Sequence, residues 1–495
     1  MSDAAHHIDL LRTIYGGRPW LVAADVLPAA AYVAHQLRDL GATGALCVAG
    51  SRGTGDPPDP DFAPDPIVLG VQADTMMGGI RASLQALADL PPDAQARVDA
   101  FDPDRAVQTI EMFIAAGAPV GGRPVFGPRR PEWQRLEDKT VIDALWETTD
   151  TPHAPYAVVP STAAALTAAA QPLDQGMGTV WVGDNREGFH GGASLLRWVR
   201  TEDEAAEAAA FLAAHSDRAR VTPFLDGVPC SVHAVVFPEV TIALRPCEMM
   251  VLRRPGQSAL HYARASTFWD PRPEDRAAMR ATAVRVGDHL RDTLGYRGMF
   301  TLDGVMTADG FRPTELNPRF GAAAGMLLRG LPELPLLLLN IAVIADLPDI
   351  DWRPRELERL ILTNADAQRG GAAMSMTHRP ITEVTTQGLL YHADDHRFTA
   401  TDADEAHRDA TARLGPSAVG GYLSIGFNPD RTPVGPHLAP RAAAALAWAD
   451  DAWDLGIGPL EAAPDLRPSE ASQRGAVVST QPRPRGDEPT SPNDA

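Results

Sequence analysis

The sequence predicts an α/β chain of several domains, and three observations carry that expectation. First, 495 residues exceed what one hydrophobic core of ordinary size serves, so two to four domains or subdomains follow. Second, residues 20–50 alternate strand, helix and strand: "WLVAA", then Ala30, Val33, Leu37 and Leu40 at helical spacing with Gly41 as stop, then "ALCVAG". That reads as a βαβ unit. Third, from residue 219 strand runs give way to an amphipathic helix with Met279, Ala283, Val286, Leu290 and Leu294, and then to the hairpin-like "GMFTLDGVMTADGFRPTELNPRFG".

The remaining elements follow in order. "GSRGTGDPPDPDFAPDP" is either a phosphate loop or a Pro/Gly/Asp surface loop; the surface reading is preferred, because no helix start follows its glycines. Residues 75–118 read as broken helix, 121–133 as a linker, and "RLEDKTVIDALWETTDTPHAPYAVVPS" as helix, turn and strand. "VGDNREGFHGGAS" is a glycine-rich loop after the apolar run at Val180–Val182, and Thr201 with Glu204 forms a capping box for an Ala-rich helix. A buried helix is expected near 332–346 and a smaller α+β region over 350–460, followed by a segment without apolar period.

Composition narrows the function. A formal net charge of −20 argues against a general nucleic-acid or anionic-membrane surface. The three cysteines, Cys47, Cys230 and Cys247, are too scattered for a disulfide framework or a zinc site. No stretch has the length of a membrane span or the form of a leader, so a cytoplasmic protein is expected. Ser51 and Ser231 lack the context of a hydrolase nucleophile, and the histidines have no partner at metal spacing. The chain contains a single lysine, Lys139, among many arginines.

The hairpin carries the chemistry. A three-residue turn at Ala308-Asp309-Gly310 pairs Thr307 with Phe311 and sets Asp303 opposite Glu315. Period two then adds Asn317 to the same face. Two carboxylates ~4 Å apart repel by about 4 kcal/mol at an effective dielectric of 20, so a positive group belongs between them. Magnesium, with its preference for hard oxygen ligands, suits that place, and Arg319 can reach an anion in the same pocket. The alternative is a turn at Asn317-Pro318 closing an ordinary strand.

"DG" followed by "TELNPRFG", with acidic residues twelve apart, resembles the metal hairpin of ATP-grasp enzymes. The resemblance runs in order over residues 135–346. "EDKTVIDAL" is similar to the segment whose lysine meets nucleotide phosphates, "EGFHGGAS" to the lid, "VTPFLDGVPCSV" to the hinge that reads adenine, and "LPELPLLLLNIAVIAD" to the helix after the metal strand. It implies a Rossmann-like pre-domain (1–134) and a two-lobed α+β ATP-grasp fold (lid-bearing lobe 135–225, metal-hairpin lobe 226–348); the sequence adds a C-terminal α+β domain (349–462) and a disordered tail (463–495).

It also implies an ADP-forming carboxylate-amine ligase, faintly closest to the peptide-ligase branch and suited to peptide or secondary-metabolite chemistry. ATP and magnesium, as one ion or two, are the expected cofactors. Small carboxylates and amines are the expected partners, with a homodimer left open and no nucleic acid or membrane. Asp303, Glu315 and Asn317 would hold the metal, and Arg319 would stabilise the reacting anion. Lys139, Gly183, Arg186, Gly188, Gly191, Gly192, Thr222, Phe224 and Leu225 would bind ATP, with Pro223 in the same hinge. Family members carry a second lysine at the strand end where this chain has Gly183, and Arg186 and Arg245 are the candidate substitutes. Two other readings stay open: a nucleotide-binding regulatory protein with a decayed site, and a carboxylase or kinase with a non-amine acceptor.

Overall fold

The computed structural model describes residues 3–111 and 118–473. Helix α1 (Asp3–Tyr15) leads into a doubly wound unit: β1 (Pro19–Val26), α2 (Leu27–Asp39), β2 (Gly44–Ser51), β3 (Ile67–Val68), α3 (Met76–Ala88), α4 (Pro92–Phe101) and β4 (Thr109–Glu111). The four strands are parallel in the order β3-β2-β1-β4. β1 and β2 are buried almost end to end, as strands covered on both faces must be. Strand order reverses at β1, so the crevice beyond its carboxyl end is where an open parallel sheet places a ligand.

Residues 121–133, expected as a linker, are instead packed. Val125 bridges Thr109, and Trp133, in α5 (Pro131–Gln134), is buried against Tyr296 with ring centroids 4.8 Å apart. Burial of a large ring anchors this segment more firmly than its Gly and Pro content suggests.

The lid-bearing lobe is an antiparallel sheet of β5 (Ala157–Pro160), β6 (Thr179–Gly183), β7 (Leu196–Val199) and β8 (Arg218–Pro223), in the order β5-β8-β6-β7. It is entered through α6 (Asp143–Thr148) and backed by α7 (Ala163–Ala170) and α8 (Glu202–His215). The Thr201 hydroxyl caps α8, accepting from the Glu204 amide at 3.2 Å. Lys139, expected on a helix, lies in the turn between a short 3₁₀ turn at Arg135–Glu137 and α6, and it is buried.

The next lobe contributes β9 (Val228–Val236), β10 (Thr241–Ala243), β11 (Cys247–Leu252), β12 (His261–Ser266), α9 (Pro273–Leu294), β13 (Gly298–Thr307), β14 (Gly310–Asn317) and α10 (Leu336–Ile344). α10 is apolar all round and sits in one core with the N-terminal domain; the Tyr15 hydroxyl donates to the Leu338 carbonyl at 2.7 Å. Then come α11 (Pro354–Ala367), β15 (Gly371–Thr377), β16 (Thr385–His392), β17 (Arg397–Thr401), β18 (Ala410–Ser417), β19 (Gly420–Phe427) and α12 (Ala439–Trp453).

These last strands do not form a sheet of their own. β15 pairs with β12 from Arg264↔Ala373 to Ser266↔Gly371, so one sheet runs β14-β13-β9-β11-β12-β15-β19-β18-β16-β17, with β10 on β9. The boundary expected at 348/349 therefore divides the sequence but not the sheet. Residues 463–473, expected in a disordered tail, are packed as well: Arg467 pairs with Asp275 at 2.6 Å, and the Trp269 indole donates to Asp465. The rest of that expected tail lies outside the described residues. Among the described residues no helix is long and apolar enough to cross a membrane.

Candidate active site

The β13–β14 hairpin brings Asp303 opposite Glu315, by a different route from the one its turn letters suggest. Thr307 pairs with Gly310, so the turn holds two residues, and this register alone would set Asp303 opposite Thr314. A β-bulge between Asp303 and Gly304 makes Thr314 the extra residue and restores the Asp303↔Glu315 pair. Asn317, opposite Thr301, turns its amide to the same spot, with Nδ2 2.8 Å from Asp303 Oδ2 and 3.1 Å from Glu315 Oε1. The sequence also hid Ser231 on β9, whose hydroxyl donates to Asp303 Oδ1. Its signal was available only from the pairing of Asp303 with Ser231 across the sheet.

The cations arrive from other elements. Lys139 Nζ lies 3.2 Å from Glu315 Oε2 and donates to the carbonyls of Glu137 and His190, each at 3.1 Å. Glu137 is buried between Arg129, at 2.9 Å, and Arg319 Nε, at 3.5 Å, while Arg319 Nη2 donates to Asn317 Oδ1 at 3.3 Å. Burial and the neighbouring Glu315 push the Asp303 carboxyl up to about 7. Burial would raise Glu315 too, but Lys139 and the Asn317 amide hold it down to about 2. Glu315 thus carries the charge, and a positive group beside Asp303 would favour its ionised form.

That donor set fits a hard dication. A dication would balance the second negative charge of an ionised Asp303, and a half-turn of the Asn317 amide would present its oxygen in place of the Nδ2 that now bridges the carboxylates. Among the described residues no cluster of three or more His, Cys, Asp or Glu gathers. Two carboxylates and an amide leave most of an octahedron to phosphate and water, which suits magnesium rather than a structural metal.

The glycine-rich loop lies folded over this site. The His190 carbonyl accepts from Lys139, the Phe189 carbonyl accepts from Arg81 of α3 at 3.2 Å, and the His190 ring bonds the Gly183 carbonyl at 3.0 Å. Burial and the nearby Lys139 lower the His190 pKa to about 4, so the ring is neutral. Gly188 (φ +92°) and Gly192 (φ +61°) take backbone conformations that side chains resist. Gly191 lies close to Arg319: a Cβ there would sit 3.9 Å from Nη2.

Three expectations about the phosphate cations need correction. A Cβ at Gly183 would lie 2.8 Å from Ser216 Oγ and 3.3 Å from Leu212 of α8, so this position faces the helices and not the cleft. Arg186 pairs with Asp217 at 3.3 Å and bonds the Ala214 carbonyl at the far side of the lid. Arg245 is fully buried in pairs with Asp366 and Asp270. Arg220, on β8 opposite Val182, does reach the cleft: it lines the slot with Lys139 and Arg253 and grips Asp143 through bonds of 2.6 and 2.5 Å. Period two along β6 and β8 is the signal that would have found it.

Beside these groups lies an apolar slot of about 140 Å³, lined by Val180, Val182, Leu260, Thr222, Phe224 and Leu225 among others. Phe224 is stacked on Trp198 at 3.9 Å between centroids, with the Arg253 guanidinium 5.2 Å from its ring. The four expected hinge residues, Lys139 and Glu315 therefore border one space.

No family model and no curated protein matches the chain. Solved structures do. A biotin carboxylase from Campylobacter jejuni, in its β-γ-ATP complex, has a TM-score of 0.48 at 13% identity over 93% of this chain and 95% of that one. N5-carboxyaminoimidazole ribonucleotide synthetase from Thermotoga maritima has a TM-score of 0.44 at 12% identity, covering 91% of this chain and all of that one (100%). The D-alanine-D-alanine ligase from Coxiella burnetii has a TM-score of 0.33 at 16% identity, over 46% and 60% of the two chains. These likenesses concern the course of the backbone.

Proposed function

We propose that this chain is an ATP-dependent ligase of the ATP-grasp type, which activates a small carboxylate as an acyl phosphate and joins it to an amine. The observation that supports it best is the convergence, under one lid, of the Asp303–Glu315–Asn317 face, Lys139 and Arg319 beside the slot of Thr222, Phe224 and Leu225. No stretch of sequence holds these groups together, and a site without function would have little reason to assemble them.

In this reading the slot holds the adenine ring, and Lys139 and Arg220 meet its phosphates. Asp303, Glu315 and Asn317 would hold magnesium, which when bound neutralises charge on the transferring phosphoryl group. The substrate carboxylate attacks the γ-phosphorus, ADP leaves, and an amine then displaces phosphate from the acyl group. Arg319 is placed to stabilise the anion formed at each step. The loop 184–194 excludes water that would hydrolyse the acyl phosphate.

Magnesium and ATP offered with a panel of acids, bicarbonate included, should release phosphate only when an acid is present. Acceptors with and without an amine then distinguish a ligase from a carboxylase or kinase. Absence of ATP binding by calorimetry would end the ligase reading. Binding without turnover on any acid would favour a regulatory protein.

A further inference from the structure

A cavity of about 790 Å³ lies outside the cleft described above. Its floor is the carboxyl end of β1 and β2 with α3, and its other walls come from the segment after β14 and from β15, β18 and β19. The turn between β18 and β19 closes it against the N-terminal domain: the Ala73 amide donates to the Ala418 carbonyl and the Thr54 hydroxyl to the Pro416 carbonyl, both at 2.9 Å. The segment read from sequence as a surface loop thus supplies Ser51, Gly53 and Thr54 to a wall. Val26, Pro28, Ile80, Leu337, Met376 and Val419 make the space predominantly apolar. Its size falls in the range of pockets that enclose drug-sized ligands, on the order of 300–1,000 Å³.

One side chain in this lining is placed in an unusual way. β12 carries one residue more than β11 between the pairs Met249↔Ala265 and Val251↔Tyr262, and Arg264 lies in that bulge with φ +87°. Bulges next to active sites re-aim a side chain, and a non-glycine residue keeps such a backbone only where its surroundings enforce it. Arg264 donates to the Tyr422 hydroxyl at 3.4 Å and forms no ion pair among the described residues, whereas the other lining arginine, Arg413, pairs with Asp56. Asp25 is the acidic member of the lining; burial raises its pKa, which suits it to a neutral or N–H-bearing part of a ligand.

The cavity adjoins the reacting groups. Phe320, which lines it, follows Arg319 directly. The lid touches it as well, since a Cβ at Gly192 would lie 3.1 Å from the Met76 methyl group and 3.8 Å from the Tyr262 ring.

We propose that this cavity binds the acid substrate, a carboxylic acid with a bulky apolar body whose carboxylate rests on Arg264 within reach of Arg319; this deepens, and rests on, the ligase reading above. The C-terminal strands then have a role: they are a wall of the substrate site.

The test is calorimetric titration of the full chain with 4-phenylbutyrate, its uncharged amide, and succinate. Phenylbutyrate should bind, with the amide and succinate each about ten-fold weaker or worse, the loss expected for a charge-assisted hydrogen bond or for the apolar body. Gly426 lines the cavity with nothing within 4 Å of an added Cβ, so Gly426→Phe should fill it and weaken phenylbutyrate by about ten-fold while leaving ATP affinity unchanged. If that variant fails to fold, Gly325→Leu, equally open, takes its place. Arg264→Gln should make acid and amide bind alike. Succinate binding as well as phenylbutyrate, or phenylbutyrate binding untouched by the filled cavity, would overturn the proposal. Failure of the wild type to bind ATP would sink the ligase reading instead, and the two results are read from separate titrations.

Discussion

The polar cleft and the apolar cavity are two halves of one sheet face, and each depends on a bulge. In β14 the extra residue is Thr314, and it returns Glu315 to the place opposite Asp303. In β12 the bulge turns Arg264 toward the cavity. The acidic face of the cleft comes from residues close in sequence on one hairpin, with its cations added from other elements. The cavity instead gathers walls from residues 25 to 426, hundreds of positions apart. The first kind of site leaves a readable signature, and the second leaves almost none.

If the halves are separable, a change in one should spare the other. The largest effect is expected from Arg220→Leu, which leaves Asp143 buried without its partner and should cost about 3–5 kcal/mol of stability, read from chemical denaturation. Asn317→Ala and Glu315→Gln should lower acid-dependent phosphate release by about 10²–10³-fold with a cooperative melting transition retained, while phenylbutyrate binding persists. Loss of that binding in the same variants would mean that cleft and cavity are one site.

Smaller effects sharpen the cleft itself. Gly183→Lys forces a side chain into Leu212 and Ser216, so it should destabilise the lid lobe by about 1–3 kcal/mol and leave ATP affinity no tighter. Tighter ATP binding in that variant would show that position 183 faces the phosphates after all. Trp198→Leu removes the ring stacked on Phe224 and should weaken ATP binding by about 0.5–1.5 kcal/mol in calorimetry.

Much of the fold was legible. β1, α2 and β2 follow the periodicity of residues 20–50, and the apolar run near 332–346 is a buried helix. The Asp303↔Glu315 pairing was also expected, but from a three-residue turn that does not form; a shorter turn and a compensating bulge give the same pair. Where periodicity was weak, reading by composition misled. The Gly- and Pro-rich stretch 121–133 was expected as a linker and contains a fully buried Trp133. The stretch around Lys139 was expected as helix and is a turn, because Lys139 is held by carbonyls from two directions rather than by a helical backbone.

By itself the sequence determined the elements with strong period, the acidic hairpin and its amide, the lone lysine, and the order in which these pieces occur. Local sterics and burial set them, and those act over a few residues. The tertiary structure alone decided that Gly183 faces α8, that Arg220 and not Arg186 or Arg245 borders the cleft, that Ser231 holds Asp303, and that the C-terminal strands continue the central sheet. Each depends on side-chain direction or on pairing between distant strands. A shift of one residue in a strand reverses the face a side chain shows, and sequence patterns alone do not fix where a bulge falls.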